Sequence, residues 1–276
     1  MLSDAPRCIY QNNQLIEVIC QLRFPEILSI EANAPVLFQE IVRSSFPNYS
    51  VQKELSAPKL TGVPGNMQVE PQQTTNNYQF VSADGIWRIN FTSKFISLSC
   101  NRYTRWEDFA KRLDLPLAAF IKVYKPAHFD RIGLRYINAV SRQELEIPEA
   151  PFRELITPMY LGPMDCLDIP EKAFHRCGID FEVKIGGDIM AKVHSGPGIL
   201  NRGGKTDPEA KFIFDEDLFV NETVSVNHTA GTLESIHEKA TQLFRSAITD
   251  TLHNAMNPLP SDTGGKLCRD IITALT

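Results

Sequence analysis

The chain has 276 residues, of which 43% are hydrophobic and 22% charged, and it carries a net charge of −5 with a pI near 5.7. A chain of this length and composition can bury a core without staples, and its acidity argues against a broad basic nucleic-acid footprint. No run of about eighteen apolar residues is present to span a membrane.

Met1 to Tyr10 has no basic start followed by an apolar core, so a signal peptide is not expected and a cytoplasmic location is. The six cysteines (Cys8, Cys20, Cys100, Cys166, Cys177 and Cys268) are scattered. That spacing argues against a zinc knuckle or a disulfide framework.

Ile16, Val18, Cys20, Leu22 and Phe24 alternate with Glu17, Gln21 and Arg23, which predicts a half-buried strand ended by Pro25. Asn33 reads as an N-cap. Pro35 falls in the first turn of a short helix bearing Phe38, Ile41 and Val42, and Pro47 stops it. Residues 57–77 are rich in Pro, Gly, Gln, Asn and Thr and read as a surface loop. Tyr78–Ser82 and Ile86–Thr92 form a hairpin through Asp84-Gly85, and Phe95–Cys100 adds a third strand.

Thr104-Arg-Trp-Glu107 has capping-box spacing and opens a helix with Trp106, Phe109, Ala110 and Leu113 on one face. Pro116 is expected to kink that helix or restart it behind Asp114, with Leu117, Phe120, Ile121 and Tyr124 continuing. A long strand follows from about Phe129 to Val140. Residues 141–172 are punctuated by five prolines and read as a connection with one short helix near Phe152–Tyr160.

Ile179 to Ile185 alternates apolar with charged residues. Gly186-Gly187-Asp188 turns the chain into Ile189–His194, residues 195–210 read as a Gly/Pro/Asn loop, and Lys211–Phe219 is another strand. Thr232 opens a long helix, Leu233 to about Ala255, with a 3.6-residue apolar period, and Pro258 and Pro260 close it. The expected fold class is α+β. Antiparallel β-sheet meanders in two halves are covered on one face by helices, including the long C-terminal one. The organisation is 1–145, a Pro-rich connection 146–172, a second half 173–256 and a tail 257–276, in one compact unit.

The candidate site lies on two charged strands. Arg131, Gly133 and Arg135 share one strand face, while Ile132, Leu134, Tyr136 and Asn138 share the other. Asp215 and Asp217 likewise share a face, with Glu216 opposite. Neighbouring strands would pair the arginines with the aspartates, either as a network fixing register or as a binding site that includes Asn138. Asp215-x-Asp217 also resembles a divalent-metal pair, but it sits inside a strand with no third ligand nearby, and no metal site is assigned.

Gly203-Gly204-Lys205-Thr206 imitates the end of a phosphate-binding loop, yet Ile199 stands where the first glycine belongs and no helix follows. The six histidines form no metal-binding helix motif and no serine sits in a nucleophile elbow. His237 falls beside the apolar stripe of the last helix and reads as a packing or capping residue. Trp87, Phe91, Phe95, Tyr103 and Trp106 read as core. The basic residues Arg88, Lys94, Arg102 and Arg105 cluster near them, and Arg202 and Lys205 offer a second anion contact.

Five segments together carry a family resemblance: Glu17-Val18-Ile19, Arg23-Phe24-Pro25, Tyr103 with Trp106-Glu107-Phe109, Arg131-Ile-Gly-Leu-Arg-Tyr-Ile-Asn138, and Phe214-Asp-Glu-Asp-Leu-Phe219 ahead of Leu233 and His237. In that order they resemble a sporadically distributed family of bacterial proteins without an established activity. The resemblance implies a single-family protein of ordinary size and assigns no catalytic residue. Its patchy distribution implies horizontally moved loci, such as phage defence or toxin–antitoxin pairs.

The preferred expectation is a non-enzymatic, regulatory protein that binds another protein, with no cofactor and no membrane, and a homodimer compatible with it. The alternatives are a nucleic-acid-associated module using the basic cluster at 88–112, and an enzyme with an unrecognised site. Salt dependence separates the first two.

Overall fold

The computed structural model describes residues 2–55, 60–63, 66–69 and 74–259. Its frame is one antiparallel sheet of nine strands. In chain order these are β2 (Leu15–Arg23), β3 (Asn48–Leu55), β6 (Thr74–Val81), β7 (Trp87–Phe91), β8 (Phe95–Cys100), β9 (Arg131–Val140), β10 (Ile179–Gly186), β11 (Ile189–Arg202) and β12 (Lys205–Val220). Across the sheet they run β10-β11-β12-β9-β2-β8-β7-β6-β3. Two small pairs stand apart: β1 (Ile9–Tyr10) with β13 (Pro258–Leu259), and β4 (Leu60–Val63) with β5 (Asn66–Val69).

Alternation decides which face is covered. Val18, Cys20 and Leu22 of β2, Ile132 and Leu134 of β9, and Phe212, Phe214 and Leu218 of β12 are all buried. Helices pack over that face: α1 (Leu28–Ala32), α2 (Val36–Val42), α3 (Trp106–Tyr124), α4 (Phe152–Leu155), α5 (Pro158–Leu161), α6 (Thr229–Ala247) and α7 (Asp250–Ala255). The other face presents Arg131, Arg135, Asp215, Asp217, Gln21, Arg88 and Asn90, by parity of the paired strands. The fold is thus α+β with helices on one side of an antiparallel sheet. No helix among the described residues is long and apolar enough to cross a membrane.

Several local expectations are corrected. Asn33 ends α1 instead of capping α2, whose N-cap is Pro35 without a side-chain hydrogen bond. The strand β3 carries no alternation in its sequence because every one of its residues is exposed. The loop expected over 57–77 contains β4, β5 and the start of β6, while residues 56–59, 64–65 and 70–73 lie outside those described. The helix α3 runs unbroken through Pro116, because the buried row Leu113, Pro116, Ala119 and Phe120 stays in phase. Core burial there outweighs a proline penalty of about 3 kcal/mol. The capping box does not form: Thr104 Oγ1 donates to Asp108 at 3.0 Å, and Glu107 pairs with Arg7.

The 195–210 loop is instead the end of a long hairpin. Gly203 and Gly204 sit at φ of 57° and 78° between Arg202 and Lys205, the left-handed pair that a two-residue hairpin turn needs. The C-terminal helix is two helices. Ile248 becomes extended and bridges to Ile156, and Thr249 restarts the chain as the N-cap of α7. Of the expected tail, Pro258–Leu259 pairs with β1 and residues 260–276 lie outside those described.

Candidate functional site

The charged strands are direct neighbours. In the β9–β12 register Asp217 stands opposite Arg135 and Phe219 opposite Gly133. The ion pairs form on the diagonal. Arg131 Nη2 donates to both oxygens of Asp217, at 2.9 and 2.8 Å, and Arg135 donates to Asp215 through Nε at 2.8 Å and through Nη2. Arg131 is well covered, with 12% of its side chain exposed, whereas Arg135 is 46% exposed. The Arg131 guanidinium also lies 4.4 Å from the Phe219 ring centroid. All of this sits on the open face of the sheet.

Asn138 is not part of that network. It faces the helices, is buried, and donates to the Phe214 carbonyl at 3.4 Å. The basic residues are not gathered either. Arg88 and Arg102 sit at one end of the β7–β8 hairpin and Lys94 at its other end, 3.6 Å from Glu26. Arg105 lies 3.4 Å from Asp108, and Lys205 is exposed at a distant hairpin tip. Among the described residues no group of three or more His, Cys, Asp or Glu side chains could hold a metal ion.

The polar site of this molecule is on the covered face. The inward rows of β9 and β12 turn polar side by side, at Tyr136 and Asn138 and at Glu216, which stands opposite Tyr136. Where they do, the helices leave a cavity of about 100 Å³. The α6 helix supplies its roof with His237, Ala240 and Phe244, and the N-terminal segment from Ala5 to Tyr10 supplies one wall. That segment is tied down by Arg7, which donates through Nη2 to Glu107 Oε2 at 3.0 Å, and by Tyr10, whose hydroxyl meets His253 Nδ1 at 2.8 Å.

Glu216 is only 2% exposed, and its Oε2 has no hydrogen-bond partner among the described residues. Burial, with the Asp215 charge a smaller cause, pushes its carboxyl well above the usual range. His237 is 7% exposed and stacks on Trp106 at 4.7 Å between ring centroids. Its Nδ1 meets the Tyr136 hydroxyl at 2.9 Å, while Nε2 has no partner among the described residues. Burial and then the Arg7 cation push its pKa down to about 3, so the imidazole stays neutral. Burial raises the Tyr136 phenol well above its ordinary value and raises Tyr103 as well. The Arg7 hydrogen bond holds Glu107 down at about 2.

The cavity therefore collects an acid whose burial favours the protonated form, three phenols (Tyr10, Tyr103 and Tyr136), a neutral imidazole and three amides (Asn13, Gln14 and Asn138). These groups donate and accept hydrogen bonds in their neutral forms, and Arg7, Arg105 and Arg245 border them, each beside a carboxylate. Reading the sequence by strand parity places Glu216 on an inward face, between Phe214 and Leu218. That misplaced charge was the available signal. The closing of α6 over Tyr136 was not visible in the sequence. No family model, no curated protein and no solved structure matches this chain.

Proposed function

We propose that this protein binds a small molecule in the cavity between β9, β12, α6 and the N-terminal segment. The observation that carries the reading is the Glu216–Tyr136–His237 group. It is buried, it borders the cavity, and two of its polar atoms lack a partner among the described residues. Unsatisfied buried polar atoms are costly, and sites built for ligands are where folds retain them. The Arg131–Asp217 and Arg135–Asp215 pairs are already satisfied and support register, not recognition.

The test is mass spectrometry of small molecules released from purified protein, alongside thermal shifts with a metabolite library. Ala240 borders the cavity, and Ala240→Leu fills it. A molecule that is held by the wild type and lost from the folded Ala240→Leu variant supports the reading. If nothing is released and the library stabilises both proteins alike, the reading fails.

A second reading, a protein partner, rests on β3. It is an edge strand with no neighbour on its outer side among the described residues, and it exposes Tyr49, Val51 and Leu55 close in sequence to exposed Leu28, Val36 and Leu37. Unprotected edges of this kind accept an added strand. A regulatory protein of a defence or toxin–antitoxin locus, of the sporadically distributed bacterial family, fits this second reading. Val51→Lys would weaken capture of a protein encoded beside it and leave small-molecule binding unchanged.

A further inference from the structure

We infer that the cavity admits uncharged molecules bearing a hydrogen-bond acceptor and rejects anions and cations of the same shape. The inference rests on the small-molecule reading above and names the ligand class.

Every arginine that borders the cavity already has its own carboxylate. Arg7 is held by Glu107, Arg105 lies against Asp108 at 3.4 Å, and Arg245 meets Asp250 at 2.6 Å and the Ile248 carbonyl at 3.3 Å. An anionic ligand would find only arginines whose charge already has a carboxylate beside it. The acid in the wall, Glu216, has no cationic side chain paired with it among the described residues. A cationic ligand would have to draw the proton from that carboxyl and leave two charges under the helices. Both cases strand charge in a low-dielectric space.

A neutral ligand meets no such obstacle. The Glu216 carboxyl offers a proton to an acceptor. The Tyr136 hydroxyl is engaged by His237 Nδ1 and by the Tyr103 hydroxyl, and the Gln14 side chain adds a fixed amide to the cavity wall. Gln14 accepts from the Ser141 amide at 2.8 Å and donates to the Asn12 carbonyl at 3.2 Å, so it is fixed in orientation. The upward displacement of the Glu216 pKa and the low value at His237 both favour the neutral form of these two groups.

Benzamide, benzoate and benzamidine share one planar shape and differ in charge. They are titrated separately into the whole protein, with the His237 ring resonances read by NMR. Benzamide is expected to shift those resonances saturably, and the two ions to bind at least about tenfold more weakly, a gap of about 1.4 kcal/mol. Two variants accompany the wild type. Ala240→Leu should abolish the shifts, and Glu216→Gln, which stays neutral and still donates, should retain the preference for benzamide. If benzoate or benzamidine binds as tightly as benzamide, and the binding is lost in Ala240→Leu, the charge selectivity is overturned and the cavity reading stands. If none of the three perturbs His237, both are overturned.

Discussion

Gly133→Ala should destabilise the protein because of where Arg131 lies. A methyl group built on Gly133 comes 2.5 Å from Arg131 Nη1, 3.0 Å from Cζ and 3.1 Å from Nη2. A free side chain would swing aside. This guanidinium is pinned by two hydrogen bonds to Asp217 and by the Phe219 ring. Hydrogen bonds to charged groups contribute about 1.5–3 kcal/mol when buried, whereas exposed ion pairs contribute about 0–1. With 12% and 28% of the two side chains exposed, displacement should cost about 1–2 kcal/mol. Alanine regains about 0.4–1 kcal/mol by restricting the unfolded chain. The net expectation is a loss of about 1 kcal/mol. In an Arg131→Ala background the same change should be neutral or stabilising by about 0.5 kcal/mol. The assay is urea unfolding of the four proteins in a double-mutant cycle, with the midpoints compared at constant slope. A coupling energy below about 0.5 kcal/mol would mean the guanidinium moves freely, and the argument would be wrong.

Arg135→Met should cost under about 1 kcal/mol in the same assay, because that side chain is nearly half exposed. Glu216 has a raised folded pKa, so its favourable contribution is present below the unfolded value and is lost as pH rises through the folded one. Glu216→Gln should therefore gain stability on the wild type as pH rises above the ordinary carboxyl value of 4.5, as measured by denaturant melts at a series of pH values. A constant difference would contradict it. His237 has the opposite sign: its pKa falls to about 3, so its contribution is present above the unfolded value and is lost as pH drops. At about 1.4 kcal/mol for each pH unit the wild type should lose on the order of 5 kcal/mol from this group between pH 6.5 and about 3. The acid limb should be shallower in His237→Gln, and an unchanged limb would show that the imidazole is not buried neutral.

The fold was legible where alternation met burial. The rows of β2, β9 and β12 show a two-residue period because one face is packed and the other wet. Legibility failed at β3, which is exposed on both faces, and at the β11–β12 hairpin, whose Gly-, Pro- and Asn-rich stretch is held in register by its neighbour. It failed again at Ile248, where a tertiary bridge to Ile156 overrides an unbroken helical period. The site divides the same way. Parity and charge put Arg131 and Arg135 on one strand face and Asp215 and Asp217 on another, and the adjacency of β9 and β12 turned that into pairs. The cavity required knowing that α6 lays His237 beside Tyr136, a meeting of residues 101 positions apart.

The nine-stranded sheet has one further consequence. Within it, the strands contributed before the proline-rich stretch meet those contributed after it along β9 against β12, nine residue pairs long, and the small β1–β13 pair crosses the same division. Severing the backbone within residues 146–172 would leave each fragment with a raw, hydrogen-bonding border that fits only the other. Two co-expressed pieces should therefore reassemble, and either one alone should precipitate.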